Sequence, residues 1–224
     1  MLCAAVALTI GALGTARAQV TSVDEGSFTI FRNGERLGRE DFWIRSTPSS
    51  GGLVYVAQGT LVFGTRRLRP GLSADTSGAV LKFQREVRVD GRLTESYAGQ
   101  STRNHYAGRT QRENGESARE FRLPPGTVAA DDDVMHELWF ITRRGAGAVV
   151  PVLVPSRDTL ETVRVELVGD EPLARDGRDV SARHLRLRTV PGGAIRDVWT
   201  DAAGRVIQVE IPARGVRAVR NDVR

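Results

Sequence analysis

Apolar and polar residues alternate along most of this chain. A period of two marks strands that keep one face on a core and the other in water. Phe28 and Ile30 share a face, and Asn33-Gly34 follows as a tight two-residue turn. Phe42 and Ile44 alternate with Asp41, Trp43 and Arg45; after a break at 48–52, a new run opens at Leu53 and continues to Phe63. Leu81, Phe83, Val87 and Val89 make the apolar face of the next run, and Lys82, Gln84, Glu86 and Arg88 its polar face. Asp90-Gly91 closes that run into a hairpin with 92–97, and Asn114-Gly115 joins 105–112 to 117–123. In the second half Val163, Val165 and Leu167 alternate with polar residues, Asp176-Gly177 turns the chain, and Leu185 and Leu187 alternate with His184, Arg186 and Arg188. Gly192-Gly193 precedes 195–200, Ala203-Gly204 follows, and Ile207, Val209 and Ile211 face one way. The turn spacing predicts a meander of about ten to twelve strands.

One segment departs from this period. Asp131, Asp132 and Asp133 precede Val134, Leu138 and Ile141, which fall at helical offsets. The spacing predicts a short helix over about 132–143, with acids at its start to satisfy free backbone N–H groups and basic Arg143 and Arg144 at its end. More than about ten twisted strands curl, split or close. The expected fold is therefore all-β with one short helix: a large curved antiparallel sheet or partly open β-barrel, the helix lying against its concave side. No linker divides 19–224, so a single domain is expected there.

Residues 1–18 read differently. An uncharged apolar run ends in Ala16-Arg17-Ala18 before Gln19, the small-x-small pattern of a cleaved signal peptide. The run is too short to span a membrane, so the mature chain is expected in the periplasm without a transmembrane span. Cys3, the sole cysteine, stands at the start of the run, whereas a lipoprotein signal carries its cysteine at the end. A mature chain without cysteine has neither a disulfide nor a thiol nucleophile.

The net charge of +5 comes from 32 basic and 27 acidic residues, and Lys82 is the only lysine. The arginines are interleaved with acids and no run of like charge reaches five, which argues against a nucleic-acid-binding tail. The aspartate triplet lacks the alternating ligands and glycine of a calcium loop. His136-Glu137 is half of a zincin motif, but Phe140 occupies the second histidine's place. His105 and His184 complete the histidines; His184 shares a polar face with arginines and is expected to be exposed. There is no Gly-x-Ser-x-Gly elbow and no Ser-x-x-Lys pair. No catalytic or metal-ligating residue, no ligand-binding residue and no cofactor is therefore assigned. Trp43, Trp139, Trp199, Tyr55, Tyr97 and Tyr106 are read as core rather than as a binding lining.

Gly38 with Phe42 after the Asn33-Gly34 turn, Leu123-Pro124-Pro125 ahead of the acidic triplet, and the closing pieces Trp199-Thr200-Asp201 and Gly204-Arg205-Val206 run through most of the chain. In this arrangement it resembles secreted, uncharacterised β-sheet proteins of Gram-negative bacteria. More distantly it is similar to the half-barrels of LolA and LolB. The resemblance implies a periplasmic curved sheet holding acyl chains against a helix; no ligand residue is carried over from it. Three functions compete: a non-enzymatic periplasmic module binding a lipid, acylated or other apolar ligand in the concavity; an envelope assembly protein recruiting a protein partner through an edge strand; and a hydrolase with paired carboxylates in the cup.

Overall fold

The computed structural model describes residues 19–175 and 177–223. The expected export segment 1–18, with Cys3, and Asp176 of the Asp176-Gly177 turn lie outside them. The first meander comprises β1 (Thr21–Arg32), β2 (Glu35–Ser49), β3 (Gly52–Phe63), β4 (Arg66–Asp75), β5 (Val80–Val89), β6 (Arg92–Thr102), β7 (His105–Arg112) and β8 (Gly115–Arg122). A two-residue strand, β9 (Val128–Ala129), follows. The second meander comprises β10 (Val149–Val154), β11 (Thr159–Arg175), β12 (Arg178–Val190), β13 (Ile195–Thr200), β14 (Val206–Ile211) and β15 (Val216–Arg220).

All fifteen strands belong to one sheet, ordered β8-β7-β6-β5-β4-β3-β2-β1-β15-β14-β13-β12-β11-β10-β9. It is antiparallel except for β9, which pairs parallel with β10. The sheet does not close into a barrel: β8 and β9 are its two edges, although they are consecutive in the chain. The turns form where the sequence places them. Asn33 and Gly34 take φ of 51° and 86°, and Asp90 and Gly91 take 50° and 81°, the left-handed pair that suits a two-residue hairpin.

The helix is shorter than the spacing predicts. A 3-10 turn at His136–Leu138 runs into α1 (Trp139–Thr142). Neither has a side-chain cap of its own, so the aspartates do not serve as one. The reason is packing. From Thr127 to Thr142 all residues except Asp132 and Asp133 are buried. A segment buried on every side has no water-facing stripe to extend a helical period. It is a plug around which the sheet curls.

Glycines on the inner face make room for it. A Cβ on Gly59 would come within 2.8 Å of the His136 ring. Gly99 and Gly108 likewise leave space for the hydroxyl ends of Tyr106 and Tyr97. Gly59→Ala is expected to cost about 1–3 kcal/mol by overpacking. Gly51→Ala, which meets nothing within 4 Å, should leave the melting temperature nearly unchanged; equal shifts for both would contradict the fit.

Candidate functional site

Four charged residues stand in the inward register of their strands, where alternation calls for apolar side chains. Asp24 precedes Gly26, Phe28 and Ile30; Glu40 precedes Phe42 and Ile44; Arg85 lies between Phe83 and Val87; Arg220 follows Val216 and Ala218. All four are at most 5% exposed. A buried charge is tolerable only when paired and hydrogen-bonded, and each of them is.

Glu40 does the work expected of the aspartates. Its carboxylate accepts the backbone N–H of Met135 at 2.8 Å and of His136 at 3.0 Å, so a strand residue caps the plug's 3-10 turn. His136 Nδ1 lies 2.5 Å from Glu40 Oε1, and its ring stacks on Phe42 with centroids 5.2 Å apart. Arg85 sends Nη1 to Asp131 at 2.5 Å and Nη2 to Glu95. Arg220 binds Asp24 with both terminal nitrogens, at 2.9 and 2.7 Å, and lies over the Phe42 ring.

The aspartate triplet fans out rather than converging. Asp131 takes Arg85; Asp132 takes Arg157 at 2.7 Å and Arg196 at 2.7 Å; Asp133 takes Arg214 at 2.5 Å and Arg66 at 3.3 Å. Arg66 and Arg85 belong to the first meander, Arg196 and Arg214 to the second, so the triplet ties both halves to the plug. Among the described residues, no three His, Cys, Asp or Glu side chains gather to hold a metal ion.

The electrostatics separate these carboxyls. Burial, with Asp131 alongside, pushes the Glu137 carboxyl well above the usual carboxylate range. Burial also raises Glu95 and Asp133, but the arginines outweigh it and hold both below that range: Arg85 and Arg112 for Glu95, Arg214 and Arg66 for Asp133. Glu137 Oε2 accepts the Asp131 N–H at 2.7 Å, and Oε1 has no partner among the described residues. This cluster holds a plug in place. Glu95 also takes Arg112 at 2.7 Å, so the two carboxylates share two guanidiniums, and a hollow of about 330 Å³ lies beside Arg85, Glu95 and Asp131.

The other expected residues scatter. His105 is exposed on β7. His184 is buried, against expectation. A bulge at Leu167/Gly169 turns the tip of the β11–β12 hairpin over the outer face. There Leu173 and Val180 pack on Ala182, Trp199 and Ile207. His184 stacks on Trp199 at 4.2 Å and bonds Asp197 and Glu171. Tyr97, Tyr106, Trp139 and Trp199 are buried, as core residues are, while Trp43 and Tyr55 are half-buried. Arg143 stacks on both Tyr55 and Trp139, at 4.6 and 4.4 Å.

With the concavity occupied, open space lies at its margin. Where the chain crosses from β8 to β9, a cleft of about 660 Å³ opens. Val80 and Leu123 form its floor and belong to the main core, and Leu81, Pro124 and Pro125 line it. Its walls are fixed. Leu123 N–H donates to Asn104 O, Val80 N–H to Thr127 O, and Arg144 to Gly126 O. The Asp75 carboxylate holds the facing turn through the N–H groups of Ser77 and Ala79. Arg103 and Arg122 line the cleft, both exposed, and neither makes an ion pair among the described residues. Leu81, in phase with Phe83 in the sequence, is 38% exposed here because β5 is bulged against β4.

The chain matches no protein-family model and no curated relative. In three dimensions it is similar to a β-barrel-like protein from Brucella abortus, a domain of unknown function designated DUF1849. The TM-score is 0.54 at 11% sequence identity, over 91% of this chain and 96% of that one. At that identity the likeness is one of fold. It supports the curled, nearly all-β architecture and does not extend to the half-barrels of LolA and LolB.

Two tests address the plug. Arg85→Met is expected to destabilise by about 3–5 kcal/mol because it strands Asp131 in the interior, and adding Asp131→Asn should recover part of that loss; additive losses would mean the pair is not coupled. Glu137 is held protonated by the fold, so its contribution is complete in acid and declines as pH rises above the usual carboxylate range. Glu95 and Asp133 act oppositely, stabilising at neutral pH and failing in acid. Glu137→Gln is therefore expected to flatten the fall in melting temperature as pH rises above the usual carboxylate range while leaving the acid limb intact.

Proposed function

We propose that this protein is a periplasmic, non-enzymatic binding module for an apolar chain bearing an anionic group, such as a fatty acid or an acylated envelope component. The observation that carries this reading is the cleft at the β8–β9 crossing. Its carbon-lined floor is continuous with the core, its walls are hydrogen-bonded in place, and two unpaired arginines stand on its rim. An apolar pocket with a few fixed polar groups is the usual form of a small-molecule site, and guanidinium pairs bidentately with carboxylate or phosphate. An export signal at 1–18, expected from the sequence, would suit a ligand of the envelope. The site lies beside the concavity, which the plug occupies.

A second reading rests on β8. All its residues except Phe121 are exposed, and it offers one row of unpaired backbone groups, the template for strand addition by an envelope partner. In-cell crosslinking from Ser117 tests it; without a discrete adduct the reading fails.

For the leading reading, native mass spectrometry with palmitate and lysophosphatidylglycerol is expected to show one bound molecule per chain. Leu81→Asp should weaken binding at least about tenfold, whereas Leu53→Asp, also on an exposed leucine but outside the cleft, should not. Undiminished binding by Leu81→Asp would remove the cleft from consideration.

A further inference from the structure

An open space of about 710 Å³ runs along the first meander. Its lining includes the consecutive sets Asp41-Phe42-Trp43, Gln58-Gly59-Thr60, Gln84-Arg85-Glu86 and Ser96-Tyr97-Ala98, with Arg69-Pro70 and Gly26 completing it. In each set the middle residue faces the core, and the flanking ones point outward by alternation. The space is therefore a trough on the outer surface, floored by backbone and walled by side chains. Register places Trp43 opposite Gln58, Gln58 opposite Gly71, Gly71 opposite Gln84 and Gln84 opposite Ala98. Gln84 lies over Gly71, where a Cβ would come within 3.2 Å of its amide nitrogen, and the row ends low at Ala98. The row crosses β2 to β6, four strand spacings, or about 19 Å.

We infer that this trough is a saccharide-binding site that takes a short neutral glycan lying across the strands. Three observations carry it. First, the trough crosses interior strands of the sheet, where backbone N–H and C=O groups are already paired in ladders, so a ligand must be read by side chains. An extended peptide, which needs a free edge, is poorly served. Second, the side chains present suit a hydroxyl-rich ring. The half-buried indole of Trp43 is held by Arg45, which lies 4.5 Å from the ring centroid. An indole supplies a flat apolar surface for the C–H face of a pyranose. Gln58 and Gln84 each offer an amide with donors and an acceptor. Neither amide, nor Arg69 between them, has a side-chain hydrogen bond or ion pair among the described residues. Third, the local charge is nearly balanced. Asp41 is bound by Arg39 through two nitrogens, and Glu86 is paired with Arg88 at 3.5 Å. Only Arg69 is left without a counter-charge, too little for a polyanion. The outer surface stays grooved beyond Ala98, which also lines a depression of about 560 Å³ reaching Gln100, Ala107 and Glu120.

The trough shares no lining residue with the cleft at the β8–β9 crossing, so the two sites stand or fall separately. The test is calorimetry and saturation-transfer NMR on the protein with three tetrasaccharides: chitotetraose, cellotetraose and maltotetraose. At least one is expected to bind with a Kd of about 1 mM or tighter, equally with and without palmitate. Trp43→Ala should weaken it by about tenfold or more. Gln84→Ala, an exposed position whose loss does not disturb the core, should weaken it severalfold. Leu53→Asp should have no effect. Failure of all three sugars to bind, or binding indifferent to both Trp43→Ala and Gln84→Ala, overturns the inference, whatever palmitate does.

Discussion

The structure depends on one requirement: charges taken out of water must find partners there. A fifteen-stranded sheet that leaves β8 and β9 unjoined has no ladder to fix its curvature. What fixes it is the polar chemistry of the chain it wraps. Glu40 reaches from β2 to cap the plug, Arg85 reaches from β5 to Asp131, and Arg196 and Arg214 reach from the far half to Asp132 and Asp133. Apolar contacts supply most of the gross stabilisation but tolerate sliding. The ion pairs, few and buried or half-buried, define one seating of the plug. Buried ionic groups serve more often to choose among arrangements than to add net stability.

This division of labour decides where recognition is possible. The inside of a curled sheet is the obvious place for a ligand, and here it is spent on the protein's own segment 127–142. Among the openings left are the cleft, where that segment enters the curl, and the trough on the outer surface. Both are bounded by elements already held in place: the cleft by the backbone hydrogen bonds of the crossing, the trough by the ladders of β2 to β6. Preformed sites of this kind avoid much of the ordering cost of binding.

Much of the fold was legible because strands and hairpins announce themselves locally. The frame of Phe28, Ile30, Phe42 and Ile44 is buried as alternation requires, and Asn33-Gly34 turns as that dipeptide does. The strand total exceeds the expected ten to twelve, partly because polar β8 and two-residue β9 carry little apolar pattern. The plug was misread for a physical reason: Val134, Leu138 and Ile141 are buried as helical spacing demands, but so are their neighbours, so the spacing carried no information about length. His184 was misread because a bulge in another strand folds a hairpin tip over it. The missed residues did leave a signal. Glu40, Arg85, Asp24 and Arg220 each interrupt an apolar frame at an inward position, and a charge there demands a partner. Their partners in the plug and across the sheet lie 46 to 196 positions away, beyond the reach of any local pattern.

The place of β1 in the sheet has a kinetic meaning. It lies mid-sheet, with β2 on one side and β15 on the other, so the first strand to be synthesised must wait for the last before its second ladder can form. Each meander can zip from neighbour to neighbour as it emerges, but the Phe28–Arg220 register joins them only after both meanders exist. Such distant pairing slows assembly and leaves β1 with a bare edge in the interval. Assembly therefore ends at the centre of the sheet, with the mating of two half-built wings.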